Sequence, residues 1–313
     1  MHELLTPRQV ARAIGVSESS LKRWCDRGMI PMVCTAGGHR RLPISGVLEF
    51  IRAQRHTLIH PESIGLPRDT GQRRLGLHAA RTLLEQSLID GDENQSRQII
   101  LDLYLDNHQI AILCDQVIAP TFHAIGHRWQ CGELEVYRER RACRICIRVL
   151  SEIRSLMATP RPEGPLALGA TPGGDNYEVP TAMVELVLRQ NGWNATSLGS
   201  SLPIDTLAVA IAENSPSLFW LSVSHLANPR EFMAELPKLL AAAGDRTSLV
   251  LGGRGITHEI REQLTGVLFC DSMRQLEELT KPIFDRQSKT SELPKVVQDQ
   301  PLQPGQPGSV KLG

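Results

Sequence analysis

Two short helical segments joined at a single glycine constrain the start of this chain more than any other feature, because a turn that tight leaves the two helices only one way to bury their apolar sides together. Thr6 can cap the first segment with Pro7 at its first position, where a missing N–H costs nothing. Val10, Ala11, Ala13 and Ile14 then give it one apolar face, and Gly15 supplies the turn. Ser17 caps the second segment, with Val16 and Leu21 on the core side. Ser19, Lys22, Arg23 and Arg27 are left on the outside. Gly28 ends that helix, Met29 to Cys34 reads as extended, and Gly37-Gly38 makes a hairpin whose return carries His39, Arg40 and Arg41. The order is helix, turn, helix, wing.

Charge points the same way. Residues 1 to 60 hold nine Lys or Arg against four Asp or Glu, in a chain whose formal net charge is zero. A basic surface of this kind suits a polyanionic backbone, since neutralised phosphates release counterions and supply most non-specific affinity. Taken together, Leu21 to Trp24, Asp26 to Gly28, Ile30-Pro31 and Gly37 to Arg41 resemble the DNA-binding domain of the MerR and excisionase-like winged-helix families over about fifty residues. The resemblance implies that the second helix enters the major groove and that the wing grips backbone. It makes Ser19, Lys22, Arg23 and Arg27 the helix contacts and His39, Arg40 and Arg41 the wing contacts, with a double-stranded DNA operator as partner. Trp24 reads as a core anchor.

The remaining chain divides by periodicity. Pro61, Gly65, Pro67 and Gly71 break the pattern, so residues 57–73 are expected to be a flexible linker after a winged-helix domain at 1–56. From Arg74 to Met157 the apolar spacing is helical in four runs, which predicts a four-helix bundle at 74–158. A Pro-rich break follows. Beyond it, short apolar strands alternate with helices, with strands expected at 166–170, 194–199, 217–222, 248–252 and 267–270. That alternation predicts a doubly wound parallel sheet at 159–285, with any ligand at the carboxyl ends of its strands. Residues 286–313, rich in Pro, Gln, Ser and Lys, are expected to be a disordered tail. The fold class is therefore multidomain: an all-α winged helix-turn-helix, a four-helix bundle and an α/β sheet.

A second resemblance lies in the predicted strand-end loops. Asp175, Tyr177 and Pro180, then Ser222 and Ser224, then Gly252 and Gly253 fall at the spacing of the cobalamin-binding fold, whose signature is Asp-x-His-x-x-Gly, Ser-x-Leu and Gly-Gly. Forty-one residues separate Pro180 from Ser222, and twenty-seven separate Ser224 from Gly252. In the helical half, Trp129 followed after nine intervening residues by Glu139 and Arg140 is similar to the cap of light-sensing, cobalamin-dependent repressors of the CarH type, which carry Trp, nine residues, then Glu-His. The resemblance implies a corrin held between the two domains, with an imidazole on each side. This chain departs from it at both imidazoles, which are Tyr177 and Arg140 here. A neutral phenol must lose its proton to ligate, which costs about 4 kcal/mol at neutral pH before any metal is credited.

Three readings of the C-terminal half follow. The favoured one has a module that has given up histidine-ligated cobalamin and controls oligomerisation, or meets a small molecule or a protein partner in the same cleft; Trp129, Tyr177, Trp220 and Arg140 could offer stacking and an anion contact. In the second, cobalamin still binds through its own tail or through His225, His123 or His127. The third, an enzyme like the corrinoid methyl carriers, lacks a substrate domain in this chain. No Walker loop, Gly-x-Ser-x-Gly or His-Glu-x-x-His occurs, and Cys143 with Cys146 sits in a helix without a second metal-spaced pair, so neither catalysis nor a metal site is expected. Seven scattered cysteines and no run of about eighteen apolar residues point to a reducing cytoplasm and no membrane span. The expected protein is a homo-oligomeric DNA-binding regulator, with an anti-repressor acting by protein contact as the alternative.

Overall fold

The computed structural model describes residues 4–160 and 163–291. The N-terminal part holds β1 (Leu4–Leu5), α1 (Pro7–Ile14), α2 (Glu18–Asp26), β2 (Val33–Cys34), β3 (Arg40–Pro43) and α3 (Ile44–Gln54). Thr6 and Gln9 form a reciprocal capping box at the start of α1, and Ser17 accepts from the Ser20 N–H at the start of α2. Gly15 sits at φ 69°. A side chain there is barred twice, by that angle and because a Cβ would lie 2.3 Å from Ile59 Cδ1. β3 pairs antiparallel with both β1 and β2, so the expected all-α domain carries a small three-stranded sheet that roots the wing. Trp24 packs its ring against Phe50 of α3 and against His56, as a core anchor.

The segment expected to be a flexible linker is packed. Leu58, Ile64 and Leu66 are buried, Pro61–Ile64 forms a 3-10 turn, and the Ile59 N–H donates to the Ala13 carbonyl at 2.7 Å. Its far end is tied to the bundle, since the Gly71 N–H donates to Asp102 at 2.6 Å. The prolines and glycines interrupt the helical period, but the apolar residues between them still bury. Arg52 of α3 makes a further junction, donating to the His108 carbonyl at 3.0 Å with its guanidinium 4.0 Å over the Tyr104 ring.

The bundle comprises α4 (Leu77–Asp90), α5 (Glu93–Leu105), a third rod and α8 (Val136–Leu156). The third rod is α6 (Ile110–Leu113) and α7 (Ala119–Gln130), joined by a π-helical turn at Cys114–Ile118. Pro120, which has no N–H to give, stands at the end of that turn. The third part alternates β4 (Leu166–Ala170), α9 (Glu178–Gln190), β5 (Asn194–Ser197), α10 (Ile204–Asn214), β6 (Leu218–Ser222), α11 (Pro229–Ala243), β7 (Ser248–Gly252), α12 (His258–Glu262), β8 (Leu268–Cys270) and α13 (Met273–Ser291). All five strands run parallel in the order β5-β4-β6-β7-β8. The chain leaves β4 for one side and later returns to its other side at β6, so the topological switch lies between these two strands, where doubly wound sheets open a crevice.

Helix α13 runs through Ser291, past the point where the tail was expected to begin; residues 292–313 of that expected tail lie outside the described residues. Leu276, Thr280 and Ile283 bury one stripe of this helix, and Phe284 meets Trp193 edge-on at 5.5 Å. Among the described residues, polar contacts tie bundle and sheet together. Asp115, presented by the π turn, accepts from the Met273 and Arg274 N–H groups at the start of α13, at 2.8 and 3.0 Å. Gln190 accepts from the Ile110 N–H at 2.7 Å, and Arg154 of α8 pairs with Glu185 of α9.

Candidate functional site

Two surfaces carry the sequence-expected residues. On the first, Ser19, Lys22, Arg23 and Arg27 are exposed along α2 and its end, and His39 is exposed on the wing. Lys22 is in reach of Glu18 at 3.7 Å, a solvated i,i+4 pair that leaves the ammonium available. Arg40 is held differently. Its guanidinium pairs with Asp26 at 2.9 Å and donates to the Lys22 carbonyl at 3.5 Å, so it ties the wing to α2 and fixes the angle between them. Arg41 is half-buried and donates to the Arg40 carbonyl. The cations without an ion pair among the described residues of this face are thus Arg23, Arg27 and Arg41.

The second surface is a cavity of about 520 Å³ between the bundle and the sheet. On the bundle side α7 contributes Phe122, His123 and Trp129, and α8 contributes Glu139, Arg140 and Arg144. Opposite them stand Tyr177 and Val179 from the start of α9, Trp220 and Ser222 from β6, then Ser224, Gly252, Gly253 and Arg254 from the strand-end loops. Eight of the nine expected cleft residues therefore line one space. The ninth, Asp175, builds the wall instead. Its carboxylate is fully buried and accepts from three backbone N–H groups, those of Tyr177 at 3.0 Å, Ser224 at 2.5 Å and His225 at 3.2 Å, which stitches the loop after β4 to the loop after β6. Burial pushes this carboxyl upward, and the three donors pull it back.

The glycine pair has its own reason. A Cβ on Gly253 would lie 2.2 Å from the Val223 carbonyl oxygen, and one on Gly252 2.8 Å from that of Cys270, so close backbone approach between loops requires both. Trp220 closes the floor. Its indole is 1 % exposed, donates to Thr181 Oγ1 at 2.9 Å, and lies where the missing side chain of Gly169 on β4 leaves room; a Cβ there would stand 2.0 Å from the ring.

The acids of this cavity are engaged. Glu139 is buried, pairs with Arg140 at 3.5 Å and accepts from the Cys143 thiol at 3.3 Å; burial pushes that thiol up, with Glu139 adding to it, so it stays protonated and donates. Asp271 pairs with Arg261, Asp115 caps α13, and Glu178 accepts from Ser200. Arg140 also lies 5.8 Å over the Tyr177 ring, a contact across the two domains at the positions where the resemblance calls for imidazoles. Neither position offers cobalt a nitrogen ligand. Of the three alternative histidines, His123 lines the cavity, while His225 takes part through its backbone N–H and His127 lies beside Cys131. Burial lowers the His123 pKa, with Arg254 and Arg81 lowering it further, so the charged ring is disfavoured here. Arg144, Arg254 and Asp115 were absent from the sequence reading. The Gly-Gly pair immediately before Arg254, and the one-turn spacing of Arg144 from Arg140, were the signals available for two of them.

Two stretches of the chain match known family models. Residues 4–55 match the model of a helix-turn-helix domain, and residues 80–154 match that of the B12 binding domain. Over 293 residues the chain is 25 % identical to the HTH-type transcriptional repressor CarA of Myxococcus xanthus, covering 90 % of this chain and 98 % of that one. Among solved structures, a monomethylamine corrinoid protein of Methanosarcina barkeri superposes with a TM-score of 0.55 at 11 % identity, over 66 % of this chain and all of that one. A cobalamin-binding protein from Desulfitobacterium hafniense matches at a TM-score of 0.35 and 16 % identity, over 67 % of this chain and 99 % of that one. The chain thus carries a helix-turn-helix domain and a helical domain of B12-binding type, followed by a parallel sheet, and its last two parts share the fold of a corrinoid protein.

Proposed function

We propose that this chain is a sequence-specific DNA-binding transcription regulator whose C-terminal module, of cobalamin-binding type, sets oligomeric state or senses a ligand without a histidine bond to cobalt. The observation that carries the reading is the union of the two surfaces in one packed body. Exposed Lys22, Arg23 and Arg27 lie along α2 beside the half-buried Arg40 and Arg41 of the wing, and the same domain is clamped to the bundle by Arg52 and by the packed segment from Leu58 to Gly71. A change in the module is thereby passed to the orientation of the DNA-binding face. The likeness to a transcriptional repressor along nearly the whole length supports the pairing of these parts.

On DNA, Arg23 and Arg27 reach into or along the major groove from α2, Arg41 and His39 hold backbone from the wing, and Arg40 positions the wing. One winged helix touches few base pairs. Useful affinity therefore comes from two or more protomers on repeated half-sites, which links oligomeric state directly to occupancy. Tyr177 and Arg140 occupy the positions of the two imidazoles, so assembly does not depend on a cobalt-nitrogen bond at those residues. The protein acts where the DNA is, in the cytoplasm, and is not an enzyme. The test is selection of duplexes from a random library by the full-length protein. Recovery of a repeated motif that resists competition by random DNA supports the proposal; enrichment of no motif contradicts it.

A further inference from the structure

The cavity between bundle and sheet has a charge balance that its acids and bases make plain. Each lining acid has a partner: Glu139 holds Arg140 and Cys143, Asp271 holds Arg261, Glu178 takes the Ser200 hydroxyl, and Asp115 is satisfied by two backbone N–H groups. Two lining arginines, Arg144 on α8 and Arg254 after β7, have no ion pair or hydrogen bond among the described residues. They stand on opposite walls, one from each domain. Arg254 lines the same space as His123 of α7, so residues of the sheet part and of the bundle border one cavity. Between the walls the surface is largely apolar and aromatic, with Phe122, Trp129, Tyr177, Val179 and Met183. Trp129 keeps 40 % of its surface exposed and lines this space.

Two guanidiniums without partners among the described residues, lining an apolar, ring-lined space, select for shape and charge together. Guanidinium binds carboxylate or phosphate in a planar fork, and aromatic faces favour flat conjugated rings. At the bottom, the Trp220 indole fills the room left by Gly169 and is fixed by Thr181, so an occupant ends there and does not pass between sheet and α9. We infer that the cavity binds a flat, conjugated molecule carrying at least one carboxylate or phosphate, held by Arg144 and Arg254 and bounded by Trp220. This deepens the proposal that the module senses a ligand, and rests on it.

The probe is metal-free protoporphyrin IX, a flat ring with two carboxylates, titrated into the full-length protein while tryptophan fluorescence is read. The expected result is saturable quenching at one molecule per chain. Binding of the dimethyl ester, or binding to the double variant Arg144→Gln/Arg254→Gln, should be weaker by at least about tenfold, as expected for loss of charge-assisted hydrogen bonds. Both arginines are exposed, so the variant keeps the wild-type melting temperature and far-ultraviolet spectrum. Absence of saturable binding, or equal binding of acid and ester, or equal binding by wild type and variant, overturns the inference. Affinity for the selected DNA duplex is measured on the same samples without porphyrin. If that affinity is intact while porphyrin binding fails, the ligand class is wrong and the regulator stands; if specific DNA binding is absent in the wild type, the regulator itself is wrong.

Discussion

Replacing Gly169 by alanine tests the floor of the cavity and the packing of the sheet at once. The added methyl would sit 2.0 Å from Trp220 Cδ2 and 2.3 Å from two further indole atoms, all well inside contact distance. The indole cannot swing away, being 1 % exposed and hydrogen-bonded to Thr181, whose own hydroxyl lies 3.1 Å from Ser197 on β5. Either β4 and β6 shift apart, or the ring leaves its place. Overpacking of this kind costs about 1–3 kcal/mol and sometimes more, and the contact here falls at the upper end. Trp220→Leu alone leaves a void and costs about 2–4 kcal/mol. In the double variant the leucine vacates the space that the methyl needs, so the two costs do not add. Urea unfolding followed by circular dichroism should give a coupling of at least about 1 kcal/mol in favour of the double variant. Additive losses would refute the claim that Gly169 exists to seat this indole.

His123 should titrate below the ordinary imidazole value of about 6.5 because burial, then Arg254 and Arg81, disfavour its charged form. Arg254→Gln removes one positive neighbour and should move the midpoint part of the way back up in a proton NMR titration; an unchanged midpoint would mean that the two walls do not face each other. The sign for stability follows from proton binding: the unfolded chain takes up this proton more readily, so the contribution of His123 is present above about pH 6.5 and is lost as pH falls through the lower folded value. Asp115→Ala leaves two N–H groups at the start of α13 without their acceptor and should cost about 1–2 kcal/mol in thermal unfolding, with Asp115→Asn recovering part of it. After incubation with adenosylcobalamin in the dark and desalting, the protein should be colourless and elute at the same volume in dark and light; retained corrin colour with a light-dependent size change would contradict the reading of Tyr177 and Arg140.

The sheet was the most legible part of the sequence, because buried parallel strands such as Leu218 to Ser222 are short apolar runs flanked by turn residues, and their order of appearance leaves few topologies. The winged helix was legible for a different reason: capping residues and Gly15 mark its helix ends one by one. What escaped was tertiary. The segment from Leu58 to Gly71 reads as a linker because its prolines and glycines break periodicity, yet its apolar residues find a core that only the folded winged helix provides. Helix α13 hides a stripe of Leu276, Thr280 and Ile283 among polar neighbours and around Pro282. Asp175 shows the same limit within the site. Its place in a motif marked it for the cleft, whereas its three backbone partners come from two loops far apart in sequence, and only their meeting turns it into a wall-building residue.

The central claim is that Arg23 and Arg41 read and hold an operator while the cavity residues govern assembly. Fluorescence anisotropy of the selected duplex, titrated across a series of salt concentrations with wild type, Arg23→Ala, Arg41→Ala and Tyr177→Ala, addresses it most directly. The account predicts that both arginine variants bind more weakly, that loss of a phosphate contact lowers the slope of log K against log salt by about 0.9 per site, and that a correctly assembled Tyr177→Ala protein keeps wild-type DNA contacts. Wild-type affinity in Arg23→Ala and Arg41→Ala, or loss of binding in a correctly assembled Tyr177→Ala, would contradict it.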